Sequence, residues 1–288
     1  MTEFPDMLKT MQPVLVSPAW AETAAARMVQ LTQANRAGGE LPAGCYRLGE
    51  INGTRRPYEV DQGVAVVSVA GLLVPKLGYI GSSWVTGYDG LRFQLAHAFA
   101  DPDVRAVCLD IDSGGGIAQG CFDLVDWIVA MKTATGKPVG AICSEEAYSA
   151  AYAIACAADS IAVPRTGGVG SIGVWLMHWD YSRMLEEAGL KPTIVQSGAH
   201  KTDGHPYAVL PEAVRAEWQG QVDALRQLFA ETVARARGLD VAAVLATEAR
   251  CFEGPVGTAE AVRLGLADAV LPPDRAFSAL VDHVRDTQ

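Results

Sequence analysis

From residue 62 onward the chain alternates short apolar runs with amphipathic stretches. GVAVVSVAG at 63–71 is Val-rich and apolar nearly throughout, which predicts a strand buried on both faces. YDGLRFQLAHAFAD at 88–101 carries a helical period, and AVCLDID at 106–112 reads as a second strand. The pattern continues with a helix over 117–134, a strand over 138–143 and an Ala-rich helix near Ser149. Further strands are expected at 160–164, 171–176 and 192–197, with a helix at 181–189 before the last of them. A long helix from about Pro211 to Arg237 and a strand–helix unit over 258–270 close the series. Continuous apolar strands alternating with helices define an α/β class built on a mostly parallel sheet.

Residues 1–61 break this pattern. AETAAARMVQLTQANR is helix-forming, whereas AGGELPAG and GEINGTRRPYEVDQG are loop-like, so this part is expected to be an N-terminal helical arm and linker. The expected organisation is an arm over 1–61, one catalytic-size domain over 62–275 and a C-terminal tail over 276–288. No period of 20 to 50 residues repeats.

Composition narrows the function classes. Half of the 288 residues are hydrophobic and 19% are charged, as in a folded enzyme. A formal net charge of −10 without any Lys/Arg run argues against a nucleic-acid partner. The N-terminal MTEFPDMLKT has no signal-peptide pattern, and VAVVSVAGLLVP is too short to span a bilayer, so no membrane association and a cytoplasmic location are expected. Cys45, Cys108, Cys121, Cys143, Cys156 and Cys251 are scattered, mostly in apolar runs, and read as reduced buried thiols. They form no C-x-x-C pair and no His stands at ligand spacing, so neither metal nor cofactor is expected.

Ligands in such folds bind at the carboxyl ends of the strands. Three segments fall there: DSGGG at 112–116, SEEAYS at 144–149 and SGAHKTDG at 197–204. The glycines allow backbone N–H groups to approach an oxyanion, although a plain tight turn would use them too. Ser149, at a helix start, is either one more small packing residue or a nucleophile favoured by the helix N-terminus. A base for it is not found among His97, His178 or His283, and His200 and His205 read as solvated loop residues. Lys201 is the better candidate, since desolvation can free a lysine amine to accept a proton; its alternative is an ordinary surface charge.

The segment SEEAYSAAYAIACAADSIAVPRTGGVGSIGV resembles the nucleophile region of the signal peptide peptidase A family, the S49 serine peptidases, which have a ClpP/crotonase-like fold. The family's glycine-rich strand end is matched by Asp112-Ser113-Gly114-Gly115-Gly116, and its nucleophile element by Tyr148-Ser149-Ala150-Ala151-Tyr152. Gly170 to Val174 repeats the Gly-Ser-Ile-Gly-Val element, Ser197 to Lys201 the Ser-Gly-x-x-Lys element, and TAEAVRLGLADAV the closing one. The resemblance spans about residues 62–272. It implies Ser149 as nucleophile, Lys201 as general base and Ser171 orienting the lysine, against a bare turn hydroxyl. It also implies an oxyanion hole from the N–H groups of Gly115 or Gly116 and of Ala150.

Two departures qualify the resemblance. Gly114 stands where the family usually has proline, and the membrane anchor of cellular members is not expected here. The chain is similar to the phage branch, the protein C-like prohead proteases acting on scaffold and portal, in the host cytoplasm or the procapsid. The family further implies protein or peptide substrates and a cyclic homo-oligomer whose Ser149 and Lys201 meet across a subunit boundary. Small or apolar side chains are expected beside the cut, with GLLVPKLGYIGSSW at 71–84 lining the cleft. The other readings are a housekeeping peptide-degrading S49 peptidase, a crotonase-type acyl-CoA enzyme, and a capsid or scaffold component without activity.

Overall fold

The computed structural model describes residues 14–16, 41, 44–51 and 55–286. The helix expected within 1–61 lies outside them. The elements described in that region are strand β1 (Val14–Val16), the short strand β2 (Tyr46–Arg47), a 3-10 turn at Leu48–Glu50 and β3 (Glu59–Asp61).

The body starts with β4 (Val64–Val74), followed by β5 (Tyr79–Ile80), β6 (Val85–Gly87) and helix α1 (Tyr88–Ala100). Next come β7 (Ala106–Ile117), α2 (Cys121–Thr135), β8 (Val139–Tyr148) and α3 (Ala150–Ala155). The short strands β9 (Ser160–Val163) and β10 (Gly168–Gly170) follow, and then helices α4 (Ser182–Glu187), α5 (Glu212–Arg237) and α6 (Val241–Leu245). The chain closes with β11 (Cys251–Glu253), α7 (Gly254–Arg263), β12 (Ala269–Val270) and α8 (Pro273–Asp286).

The main sheet runs in the order β11-β10-β8-β7-β4-β3. Its centre is parallel: β4 with β7, β7 with β8, and β8 with both β9 and β10. Alternation along each central strand divides the side chains between two layers. Ala65, Val67, Val69, Val107, Leu109, Ile111, Val139 and Ala141 join the core formed with α1, α2, α3 and the carboxyl half of α5. Val64, Ala106, Cys108 and Ile142 face the other way, onto Ala276, Leu280, Val281 and Val284 of α8. Both faces are covered, which is why these strands read as unbroken apolar runs.

Several expectations are corrected. The 106–112 strand continues to Ile117, because Gly115 and Gly116 still pair with Leu72 and Leu73 of β4. The helix expected from 117 therefore starts at Cys121. The 138–143 strand likewise extends through Tyr148. Residues 171–176 form no strand; the pairing falls on Gly168–Gly170 just before them. No strand forms at 192–197 either, where every residue is exposed. The expected tail from 276 belongs to α8, whose apolar positions close the second face of the sheet.

Candidate active site

Ser149 follows directly on β8 and caps α3. Tyr148 pairs with Gly170 in the parallel ladder, and the Ser149 N–H continues it, donating to the Gly170 carbonyl at 2.8 Å. The ladder fixes the residue before Ser149 and the helix fixes the one after it. The chain turns between them at φ 53° and ψ −117°, a conformation that L residues rarely adopt. This sharp strand-to-helix turn presents the hydroxyl at the carboxyl edge of the sheet. Ser149 is 1% exposed, and its Oγ donates to the Gly173 carbonyl at 3.5 Å. Ala150 is the first residue of α3, so its N–H has no partner within the helix.

Ser171 occupies the matching place one strand over. It follows Gly170 as Ser149 follows Tyr148, and it too has a positive φ, 55°. Its N–H donates to the Arg250 carbonyl at 3.0 Å, while its carbonyl accepts the Gly173 N–H at 2.9 Å. The side chain hydrogen-bonds the thiol of Cys251, whose pKa burial raises and this bond partly lowers.

The glycines of β7 stand across from Ser149. Gly115 has φ 105°, and a Cβ on Gly116 would lie 1.9 Å from the Leu73 carbonyl oxygen, so neither position accepts a side chain. Ser113, fully buried, fixes this loop-like strand end. Its Oγ donates to the Gly71 carbonyl at 2.6 Å and accepts the Gly115 N–H at 3.1 Å. The sequence reading assigned Ser113 no role, because a serine before three glycines looks like a turn residue until its two backbone partners are known. Of the two candidate oxyanion donors on this strand, the Gly115 N–H thus already has an acceptor.

Acidic groups gather on the same edge. Asp112 has its pKa raised by partial burial first, then by the charges of Glu145 and Asp110. Ser144 donates a hydrogen bond to Asp110. Beside Ile117 an apolar cluster of Leu72, Val74, Tyr79 and Val85, flanked by Trp84 and Trp175, lines the end of β7.

Lys201 sits in the stretch between α4 and α5. It lies in an exposed turn, its N–H donating to the Gly198 carbonyl at 3.2 Å, and no hydrogen bond or ion pair among the described residues joins it to Ser149 or Ser171. His200 pairs with Asp203 at 2.7 Å, which raises its pKa, and His205 bonds within its own loop to the Tyr207 N–H. Neither histidine reaches the serine. His97 lies on α1, with its ring on the Phe93 carbonyl, and His283 lies on α8. All six cysteines are free thiols. Among the described residues no helix is long and apolar enough to cross a membrane.

Residues 131–285 match peptidase family S49, and the chain belongs to that family. It is 42% identical to the head-tail preconnector protein GP5 of Enterobacteria phage P21, over 88% of this chain and 47% of that protein. It is 39% identical to the capsid assembly protease C of Escherichia phage lambda, over 81% of this chain and 53% of that one. The chain therefore spans about half the length of these relatives. A 28% identity links it to a putative signal peptide peptidase SppA of Enterococcus faecium, over 65% of this chain and 53% of that one. Among solved structures, an enoyl-CoA hydratase from Shewanella pealeana shares 12% identity at a TM-score of 0.48, covering 79% of this chain and 72% of its own. That likeness says nothing about activity. The α/β fold with its mostly parallel central sheet is of the class that the hydrophobic pattern of the chain predicts.

Proposed function

We propose that the chain is a serine endopeptidase with a Ser149–Lys201 dyad, acting on phage head proteins during capsid maturation. The observation that carries the reading is Ser149 itself. A buried hydroxyl on a strained strand-to-helix turn, at the start of a helix and facing a glycine-lined strand end, is costly to maintain for packing alone. Its membership of an S49 chain gives that strain a use. The names of the phage P21 and lambda relatives support a capsid context, with scaffold or portal proteins as substrates. The site of action would be the host cytoplasm or the procapsid.

In the proposed reaction a neutral Lys201 amine takes the proton of Ser149 Oγ as that oxygen attacks the scissile carbonyl carbon. The tetrahedral oxyanion is held by the Ala150 N–H and by that of Gly115 or Gly116. If Gly115 is used, its N–H leaves Ser113 or is shared with it. The lysine ammonium returns the proton to the leaving amine, and the C–N bond breaks to give an ester on Ser149. Water then attacks this ester with Lys201 again as base, releasing the carboxylate product. Ser171 would hydrogen-bond the amine and orient it.

Lys201 would reach Ser149 from a neighbouring subunit of a cyclic homo-oligomer. Residues 186–201 are exposed without interruption, including Leu190, Ile194 and Val195, the last at 94%. Such an apolar segment left bare in one copy supports burial against another. A fluorophosphonate probe followed by mass spectrometry tests the reading as a whole. An adduct on Ser149 is expected, and a chain left unmodified under conditions that label other serine peptidases overturns it.

A further inference from the structure

Strand β7 has two edges, and their occupants are known residue by residue. One edge pairs with β4, from Val64 opposite Ala106 to Leu73 opposite Gly116. The other pairs with β8 only as far as Ser113 opposite Ala147. There β8 turns away into Ser149, leaving the last residues of β7 without a neighbour from that side. β1 fills this gap: Val16 lies opposite Gly115, Leu15 opposite Gly116 and Val14 opposite Ile117, antiparallel.

The direction of β1 matters. Because it is antiparallel to β7, its carboxyl end, Val16, is the end nearest the Ser113–Ala147 pair, two residues short of Ser149. Two residues of strand amount to roughly 7 Å. The N-terminal segment thus enters from the Ile117 end and carries its backbone toward the nucleophile, as a peptide awaiting cleavage would. Its contact surface is the strand end Gly115, Gly116 and Ile117. There main-chain hydrogen bonds rather than side-chain fit hold a guest strand, which is recognition by strand addition. Pro13 and Pro18 bracket the strand in sequence; each lacks an N–H to extend the ladder.

We propose that Val14–Val16 occupies the peptide-docking edge of the active site, so that the N-terminal segment is a built-in competitor of substrate. The proposal rests on the peptidase reading for its consequence, but docking itself involves no chemistry. A guest tethered in the same chain competes at an effective concentration on the order of millimolar. If it is docked nine-tenths of the time, it weakens apparent peptide affinity about tenfold. Substrates that displace it must be extended over at least three residues, antiparallel to Gly115–Ile117.

The test uses the full chain in a Ser149→Ala background, with and without the double change Leu15→Pro and Val16→Pro, which removes ladder N–H groups from β1. The probe is a fluorescein-labelled synthetic peptide of residues 10–20, with binding read by fluorescence anisotropy. The proline variant is expected to bind it at least tenfold more tightly than the unaltered N-terminus. A chain lacking residues 1–20 should match the proline variant, and thermal melts establish that each variant is folded. Equal affinity across folded variants, or no binding to any of them, overturns the proposal. In chains that retain Ser149, fluorophosphonate labelling should be about tenfold faster once β1 is displaced. Absence of labelling in every chain would sink the peptidase reading and leave the anisotropy result to decide the docking.

Discussion

The backbone N–H of Ser149 donates to the carbonyl of Gly170 at 2.8 Å, joining two serine turns that are far apart in sequence. Tyr148 and Gly170 are ladder partners, so Ser149 and Ser171 leave adjacent parallel strands side by side, at φ 53° and 55°. The shared geometry places both hydroxyl-bearing residues at one edge of the sheet, held by the strands on one side and by α3 or the Gly173 turn on the other.

Ser149→Gly should therefore stabilise the fold while abolishing peptide cleavage. Glycine adopts the native φ and ψ without the steric cost borne by serine, and the expected gain is about 1 kcal/mol after its extra chain entropy. Chemical denaturation of the two chains measures it. A destabilised glycine variant would mean that the Ser149 turn is unstrained and that the hydroxyl serves packing.

Subunit sharing of the dyad predicts complementation. Ser149→Ala and Lys201→Ala chains, each inactive alone, should recover part of the activity when co-expressed, because one boundary in a mixed ring joins an intact Ser149 to an intact Lys201. Mixed assemblies verified by tagged pull-down that remain inactive would place the dyad within one chain.

Ser113→Ala should lower kcat more than it raises KM. The hydroxyl bridges the Gly71 carbonyl and the Gly115 N–H, and its loss leaves a buried acceptor unpaired at a cost of about 1–3 kcal/mol in stability. The glycines would lose the anchor that sets their N–H directions, which matters most when the oxyanion forms. Steady-state kinetics with a thermal melt separate the two effects; an unchanged kcat would assign Ser113 to folding alone.

Asp112→Asn should raise stability at neutral pH. Burial, then Glu145 and Asp110, hold the Asp112 pKa above its ordinary value near 3.9, so the ionised carboxylate is disfavoured in the folded state. A raised carboxyl pKa costs stability above that pKa, and the cost disappears as pH falls through it to the unfolded value. The advantage of the variant should accordingly be full at pH 7 and fade in that acidic window. Denaturant unfolding at a series of pH values checks the sign, and an advantage that grows on acidification would refute it.

Much of the fold is legible in the chain alone. Val-rich runs at 64–74 and 106–111 announce strands buried on both sides, and the small-residue stretch after Ser149 announces a helix packed close to them. Those signals are local: hydrophobic period and side-chain size decide them before any partner is present. The order of residues around Ser149 and at the glycines 114–116 likewise marks them as candidates for the proposed chemistry. The amphipathic spacing of Ala276, Leu280, Val281 and Val284 was also there to be read, but its short stretch at the chain end resembled a tail until the open face of the sheet supplied its partner.

What the sequence could not settle is which backbone pairs with which. Gly168–Gly170 has poor strand propensity and becomes a strand because β8 and β11 flank it, whereas the apolar SIGVWL after it forms no strand of its own. The same holds for β1, three residues in a region that reads as helix and linker, whose place beside Gly115 follows from a gap left by β8. Residue identity along the chain determined which segments could be strands, helices or site residues. Pairing depends on edges created only when distant segments have folded together, so the turn at Ser149, the bridge at Ser113 and the occupant of the β7 edge were decided by tertiary structure.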